Sequence, residues 1–306
     1  MLPFRTKLGL GVGVALVSFS LASATTFMSA SAKWKSPETI EITPRMFTYR
    51  MAGDFHAAGR SVDATAVTIP RISSLHIMRR QVTAEEYGRC IAAGRCKKTS
   101  NEESRPNLPI TNVSWFDATD YATWLSKETG HAWRLPTDEE WVFAAGSRFH
   151  DDALPTGATS DPSVRWLARY EKEVERQQSD KRLRPIGSFG ANEYGLLDLS
   201  GNVWEWTNTC FIRQSLDVNG RFAGIAFSSC GVRVVEGEHR AYITDFIRDA
   251  GNGGCAAGKP PSNLGFRLVR DETAPSFILK IKRLLAGVSC QLGRSEICHA
   301  VGLSEF

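Results

Sequence analysis

The chain has 306 residues, 42% of them hydrophobic and 23% charged, with a formal net charge of +4. That length supports one substantial domain, or two small ones, with a sizeable core. The charge is small and no basic stripe interleaved with aromatics occurs, so no nucleic-acid partner is expected.

Residues 1–32 read as an export signal. "MLPFRTK" is a basic lead, "LGLGVGVALVSFSLASA" an apolar run, and Ala22-Ser23-Ala24 and Ala30-Ser31-Ala32 offer small-x-small cleavage sites. Left uncleaved, the same segment would be an anchor, and it is the only membrane contact expected. The remainder is expected in the periplasm. Seven cysteines fit that compartment. Cys90 with Cys96, and Cys290 with Cys298, bracket short loops suited to disulfides. Cys210, Cys230 and Cys255 are left without an assigned partner. No Cys-x-x-Cys occurs, and the scattered histidines never fall at i, i+4, so neither a zinc nor a thioredoxin-type site is expected.

Three helix starts share one signature. Thr83-Ala-Glu-Glu86, Ser114-Trp-Phe-Asp117 and Thr137-Asp-Glu-Glu140 each place a hydroxyl before the first turn and a carboxylate three residues on. The first helix should stop at Gly94. The second should stop at Gly130 and put Phe116, Tyr121, Trp124 and Leu125 on one face. The third should bury Trp141 and Ala145. Residues 147–192 turn polar, and the charged run "RYEKEVERQQSDKR" reads as a solvated helix or loop. Asn219-Gly220 signals a type I′ hairpin, and "LGFRLV" (264–269) a closing strand. "SFILKIKRLLAGV" reads as a basic amphipathic helix packed on the domain.

Five stretches in order carry a resemblance: "ITPRMFTYRMAGD", "RRQVTAEEYGRCI", "LPITNVSWFDATDYATWLSKETGHAWRLPTDEEWVFAAG", "NEYGLLDLSGNVWEWT" and "NLGFR". Over residues 38–271 the chain resembles the sulfatase-modifying factor domain, that of the formylglycine-generating enzymes. The resemblance implies a single α+β domain with little regular secondary structure, related to C-type lectins. Residues 272–306 would then form a separate helical, cysteine-bearing tail.

The family's enzymes oxidise a target cysteine with two copper-binding cysteines in a Gly-Gly-Ser-x-x-Cys-x-x-x-x-Cys pattern. On "EGEHRAYITDF", Glu236 and Gly237 stand for the glycines, Glu238 for the serine, and Ala241 and Phe246 for the two cysteines. A methyl group and a phenyl ring ligate no copper, so copper is not expected. Glu238, His239, Arg240 and Arg248 are the candidate residues of the former cleft, able to bind a substrate or move protons. The resemblance further implies a structural calcium in "DLSGNVWEW", held by the carboxylates of Asp198 and Glu205 and the carbonyls of Gly201 and Val203.

Among branches lacking the cysteines, the chain is most similar to one associated with copper nitrite reductases. The function expected is that of an exported accessory or maturation factor for a periplasmic protein, in the setting of denitrification. A periplasmic oxidoreductase with a rebuilt cleft is the alternative, and a lectin-like binding module the third reading.

Overall fold

A computed structural model of the chain describes residues 36–99, 106–151, 182–249 except Val218, and 263–271, with a few positions between 153 and 171. The expected signal, the tail helix, Cys255, Cys290, Cys298 and most of the charged run lie outside the described residues. The chain divides after Lys33, and the elements below all belong to the unit that follows.

Short strands open it: β1 (Thr39–Ile42), β2 (Arg45–Tyr49), β3 (Asp54–Ala57), β4 (Arg60–Val62), β5 (Val67–Arg71) and β6 (Leu75–Met78). Helices α1 (Ala84–Ala92) and α2 (Trp115–Thr129), strand β7 (Ala132–Arg134) and helix α3 (Asp138–Ala145) follow. Two long strands, β8 (Trp204–Leu216) and β9 (Phe222–Glu236), then lead to β10 (Ala241–Thr244), β11 (Leu264–Gly265) and β12 (Val269–Asp271). One sheet has the order β1-β6-β12-β7. A second runs β10-β9-β8-β3-β4, with β11 added beside β8. β2 and β5 pair by themselves. This is an α+β architecture.

All three helices begin as their sequences dictate. Thr83, Ser114 and Thr137 each accept from the backbone N–H three residues on, and Glu86, Asp117 and Glu140 each accept from the cap's own N–H. Helix α2 ends at Gly130 with φ +74°, where a side chain would be strained. It buries Tyr121, Trp124 and Leu125, and α3 buries Trp141 and Ala145, as expected. Phe116, expected on the same face, is instead 48% exposed. It lies nine residues, two and a half turns, from Leu125, which puts it on the opposite side of the helix.

Two further expectations are corrected. Asp217 and Arg221 face each other across the hairpin, and Gly220 (φ +73°) donates to Asp217 O. The loop therefore holds three residues and closes on a glycine bulge, not a two-residue type I′ turn. The closing segment is not one strand either. β11 pairs parallel with β8, whereas β12 joins β6 and β7 in the other sheet. Between them, Phe266 and Leu268 enter the aromatic core around Tyr87, Tyr121 and Trp124. Cys90 bonds Cys96 as expected, and Cys210 bonds Cys230 across the long hairpin.

Candidate functional site

The segment singled out by its charges forms a tight hairpin. β9 ends at Glu236, residues 237–240 turn, and β10 returns antiparallel with Ala241 opposite Val235. The turn lies against Trp204. A Cβ on Gly237 would approach the Trp204 ring to 2.7 Å, so only glycine fits. Trp204 Nε1 donates to His239 O at 3.1 Å, and the His239 ring meets the indole edge-on at 5.4 Å.

This turn aims Arg240 inward. Its Nε donates to Glu236 Oε1 (2.6 Å), its Nη2 to Asp138 Oδ2 (3.0 Å) and its Nη1 to Arg50 O (3.0 Å). Asp138 lies in the first turn of α3, and Tyr49 of β2 donates its hydroxyl to the same Oδ2 at 2.6 Å. Glu236 and Asp138 are both buried. Two carboxyls thus meet one guanidinium out of water. Two like charges so placed repel, and one group keeps a proton. Burial pushes the Glu236 carboxyl well above the usual carboxylate range. Arg240 works against that shift, while the charge of Asp138 and its hydrogen bond to Glu236 add to it. Asp138 Oδ1 is buried without a donor, beside a Glu236 carboxyl whose pKa is raised. Burial also raises Tyr49, reinforced by Asp138, and pushes the Tyr242 phenol up to about 12.

The four residues named from the sequence are not brought together. Arg240 was expected at a cleft rim and is instead locked in the buried cluster. Arg248 reaches the other way: its Nη2 donates to Asp117 Oδ1 at 2.7 Å and its Nη1 to Lys98 O at 3.1 Å. It thereby fastens the turn after β10 to the start of α2. His239 packs on Trp204, and Glu238 is half-buried in the turn. Ala241 is 2% exposed and Phe246 67% exposed, so the two former cysteine positions face opposite environments. Asp138 and Tyr49 were missed. Their sequence signals, a first-turn acid and an alternating strand aromatic, are ordinary for a cap and a core.

The calcium expectation meets a filled site. Loop residues Asp198, Ser200 and Asn202 have φ of 59°, 57° and 66°, a conformation that needs outside support. Asp198 supplies part of it, accepting from Gly187 N (2.6 Å) and Phe189 N (2.8 Å). Gln81 Nε2 sits where the other oxygens converge, 2.9–3.3 Å from Asp198 O, Gly201 O and Glu205 Oε1, so its two hydrogens are shared among three acceptors while Gln81 Oε1 is buried without a donor. Arg267, fully buried, donates to both Glu205 oxygens at 2.6 and 2.7 Å, and Trp141 Nε1 donates at 2.9 Å. Every Glu205 lone-pair direction is thus taken, and its charge is balanced by a guanidinium. As arranged, Asp198, Gly201, Val203 and Glu205 do not fit a calcium ion, because an amide N–H and a guanidinium stand in the cation's place.

Known proteins show the same family signature. A profile described as "Sulfatase-modifying factor enzyme 1-like domain" matches residues 24–272. The mouse "Inactive C-alpha-formylglycine-generating enzyme 2" is 32% identical over 173 residues, 55% of this chain and 51% of that protein. The "Formylglycine-generating enzyme" of Streptomyces coelicolor is 30% identical over 187 residues, 56% and 55% of the two chains. The chain therefore spans about half the length of the curated relatives it matches. Among solved structures, that of PvdO from Pseudomonas aeruginosa aligns with a TM-score of 0.48 at 20% identity, over 77% of this chain and 94% of that one.

Proposed function

The chain belongs to the family of sulfatase-modifying factor enzyme 1-like domains, and we propose that within it the protein is an exported accessory or maturation factor, not a copper-dependent oxidase. It acts on a periplasmic protein, and a copper nitrite reductase is the partner we propose. The observation carrying this reading is the pair Ala241 and Phe246. One is a buried methyl and the other an exposed ring, where two thiolates would have to meet one copper ion. The surrounding charges support it. Arg240 and Glu236 are committed to Asp138 and each other, and Arg248 to Asp117. The half-buried turn that carries His239 and Glu238 is the contact surface of this reading. A mammalian relative that is named inactive is consistent with a member of this family working without turnover.

Two measurements test the reading. The chain, supplied with copper, is incubated with a cysteine-bearing sulfatase peptide, and conversion to formylglycine is followed by mass spectrometry. No conversion is expected, and turnover would sink the proposal. Binding to a copper nitrite reductase is then compared for the unaltered chain and a His239→Ala, Glu238→Ala variant. Weakened but measurable binding is expected of a rim contact. Lost turnover of an oxidisable substrate with binding preserved would favour the oxidoreductase reading instead.

A further inference from the structure

A pocket of 370 Å³ opens between β2, the end of α3 and the Glu193–Tyr194 turn. Its walls are aromatic, with Phe143, Phe149 and Tyr194 among them. Its charges are of two kinds. Arg50 is paired with Asp151, at 3.0 Å, and Glu193 takes both the N–H and the hydroxyl of Ser147. Arg45 differs. Its guanidinium lies between two rings, 3.9 Å from the Phe143 centroid and 4.3 Å from that of Tyr194. Its Nη2 donates to Phe143 O at 2.6 Å, but Nη1 is buried with no acceptor. Among the described residues no carboxylate pairs with Arg45. The contrast with Arg71 is direct. Arg71 sits opposite Arg45 in the β2–β5 ladder and is paired with Glu140 at 3.2 Å.

A half-buried guanidinium with an unmet donor and no counter-ion is costly unless something supplies an acceptor. Stacked rings favour its charge but accept no strong hydrogen bond. Phe143 O and the Tyr194 side chain both hold the guanidinium, and Nη1 is the donor that a ligand would have to engage. We infer that this pocket binds a carboxylate carried on an apolar or aromatic body, with Arg45 as its anchor. The carboxylate pairs with the planar guanidinium, which suits it geometrically. The body packs on Phe149 and Tyr194. The volume matches a group of about one or two amino-acid side chains. A free aromatic acid and the C-terminal residue of a peptide share this chemistry. The inference stands on the pocket alone and is independent of the accessory role proposed above.

The test is titration calorimetry on the whole chain with four probes: 3-phenylpropanoate, its amide, a short peptide ending in phenylalanine as the free acid, and that peptide amidated. Each acid that binds should do so about tenfold more tightly than its amide. Arg45→Met should erase that difference, and Arg45→Lys should keep part of it. Thermal unfolding of both variants guards against a fold defect. Preference for the small acid identifies a metabolite-sized ligand, and preference for the peptide a protein C-terminus. No binding of either acid, equal binding of acids and amides, or unchanged binding to folded Arg45→Met overturns the inference.

Discussion

Arg240 and Asp138, 102 residues apart in sequence, meet at 3.0 Å in the interior. The contact ties the turn after β9 to the first turn of α3, and Tyr49 closes it from β2 on the same carboxylate oxygen. Three separate segments are thus held by one acid.

Removing the cation should be severe. Arg240→Met leaves Asp138 and Glu236 buried without a counter-charge, a loss of about 3–5 kcal/mol. Glu236→Gln keeps an acceptor and a donor in place and should cost far less. Chemical denaturation of the two variants checks this, and equal losses would argue against the pairing.

The cluster should also shape stability against pH. Glu236 is raised in the folded state, so the folded chain holds its proton more tightly than the unfolded chain. Its contribution is full below the ordinary value near 4.5 and is lost as pH rises toward the folded value. Glu140 has the opposite sign. Despite its burial, Arg134 and the Thr137 N–H lower it to about 2, so its contribution is present above 4.5 and lost as pH falls through about 2. Glu236→Gln should therefore flatten the stability profile on the neutral side, and Glu140→Gln on the acid side. Denaturation midpoints across pH read both.

Gln81 and Arg267 make a prediction about metal. Chelator treatment should leave the melting temperature of the chain unchanged, and purified protein should carry less than one calcium per chain. Gln81→Ala should destabilise it by about 1 kcal/mol, because Asp198 O, Gly201 O and Glu205 Oε1 each lose one donor while keeping another. Stoichiometric calcium would mean that the Gln81 amide turns its oxygen inward, and would restore the expectation drawn from family resemblance.

Gly237→Ala is the smallest test of the turn. The added methyl would meet the Trp204 ring at 2.7 Å, and overpacking of this kind costs about 1–3 kcal/mol. His239, which rides on the same ring, should shift with it, so its imidazole proton resonances should move.

Local chemistry was legible in the sequence. The three capping boxes, the glycine at the end of α2 and the short Cys90–Cys96 loop are each set by residues within a few positions, whose geometry a single turn fixes. That Ala241 and Phe246 carry no thiol where the resemblance places cysteines was equally plain, because it depends on side-chain type alone. The family resemblance singled out a segment but not the direction in which its residues point. Glu238, His239, Arg240 and Arg248 looked like one patch because they are close in sequence. The tight turn at 237–240 and the β9–β10 register instead send Arg240 inward and Arg248 toward α2.

By itself the sequence determined the family and the helix starts, because these rest on local spacing and on functional groups being present or missing. The tertiary structure decided which charges are buried and with what. Glu236 finds Asp138, Glu205 finds Arg267, and Arg45 finds two rings and, among the described residues, no carboxylate only once distant strands are laid side by side. A charge's meaning depends on the dielectric and partners around it, and those are properties of packing, not of spacing along the chain.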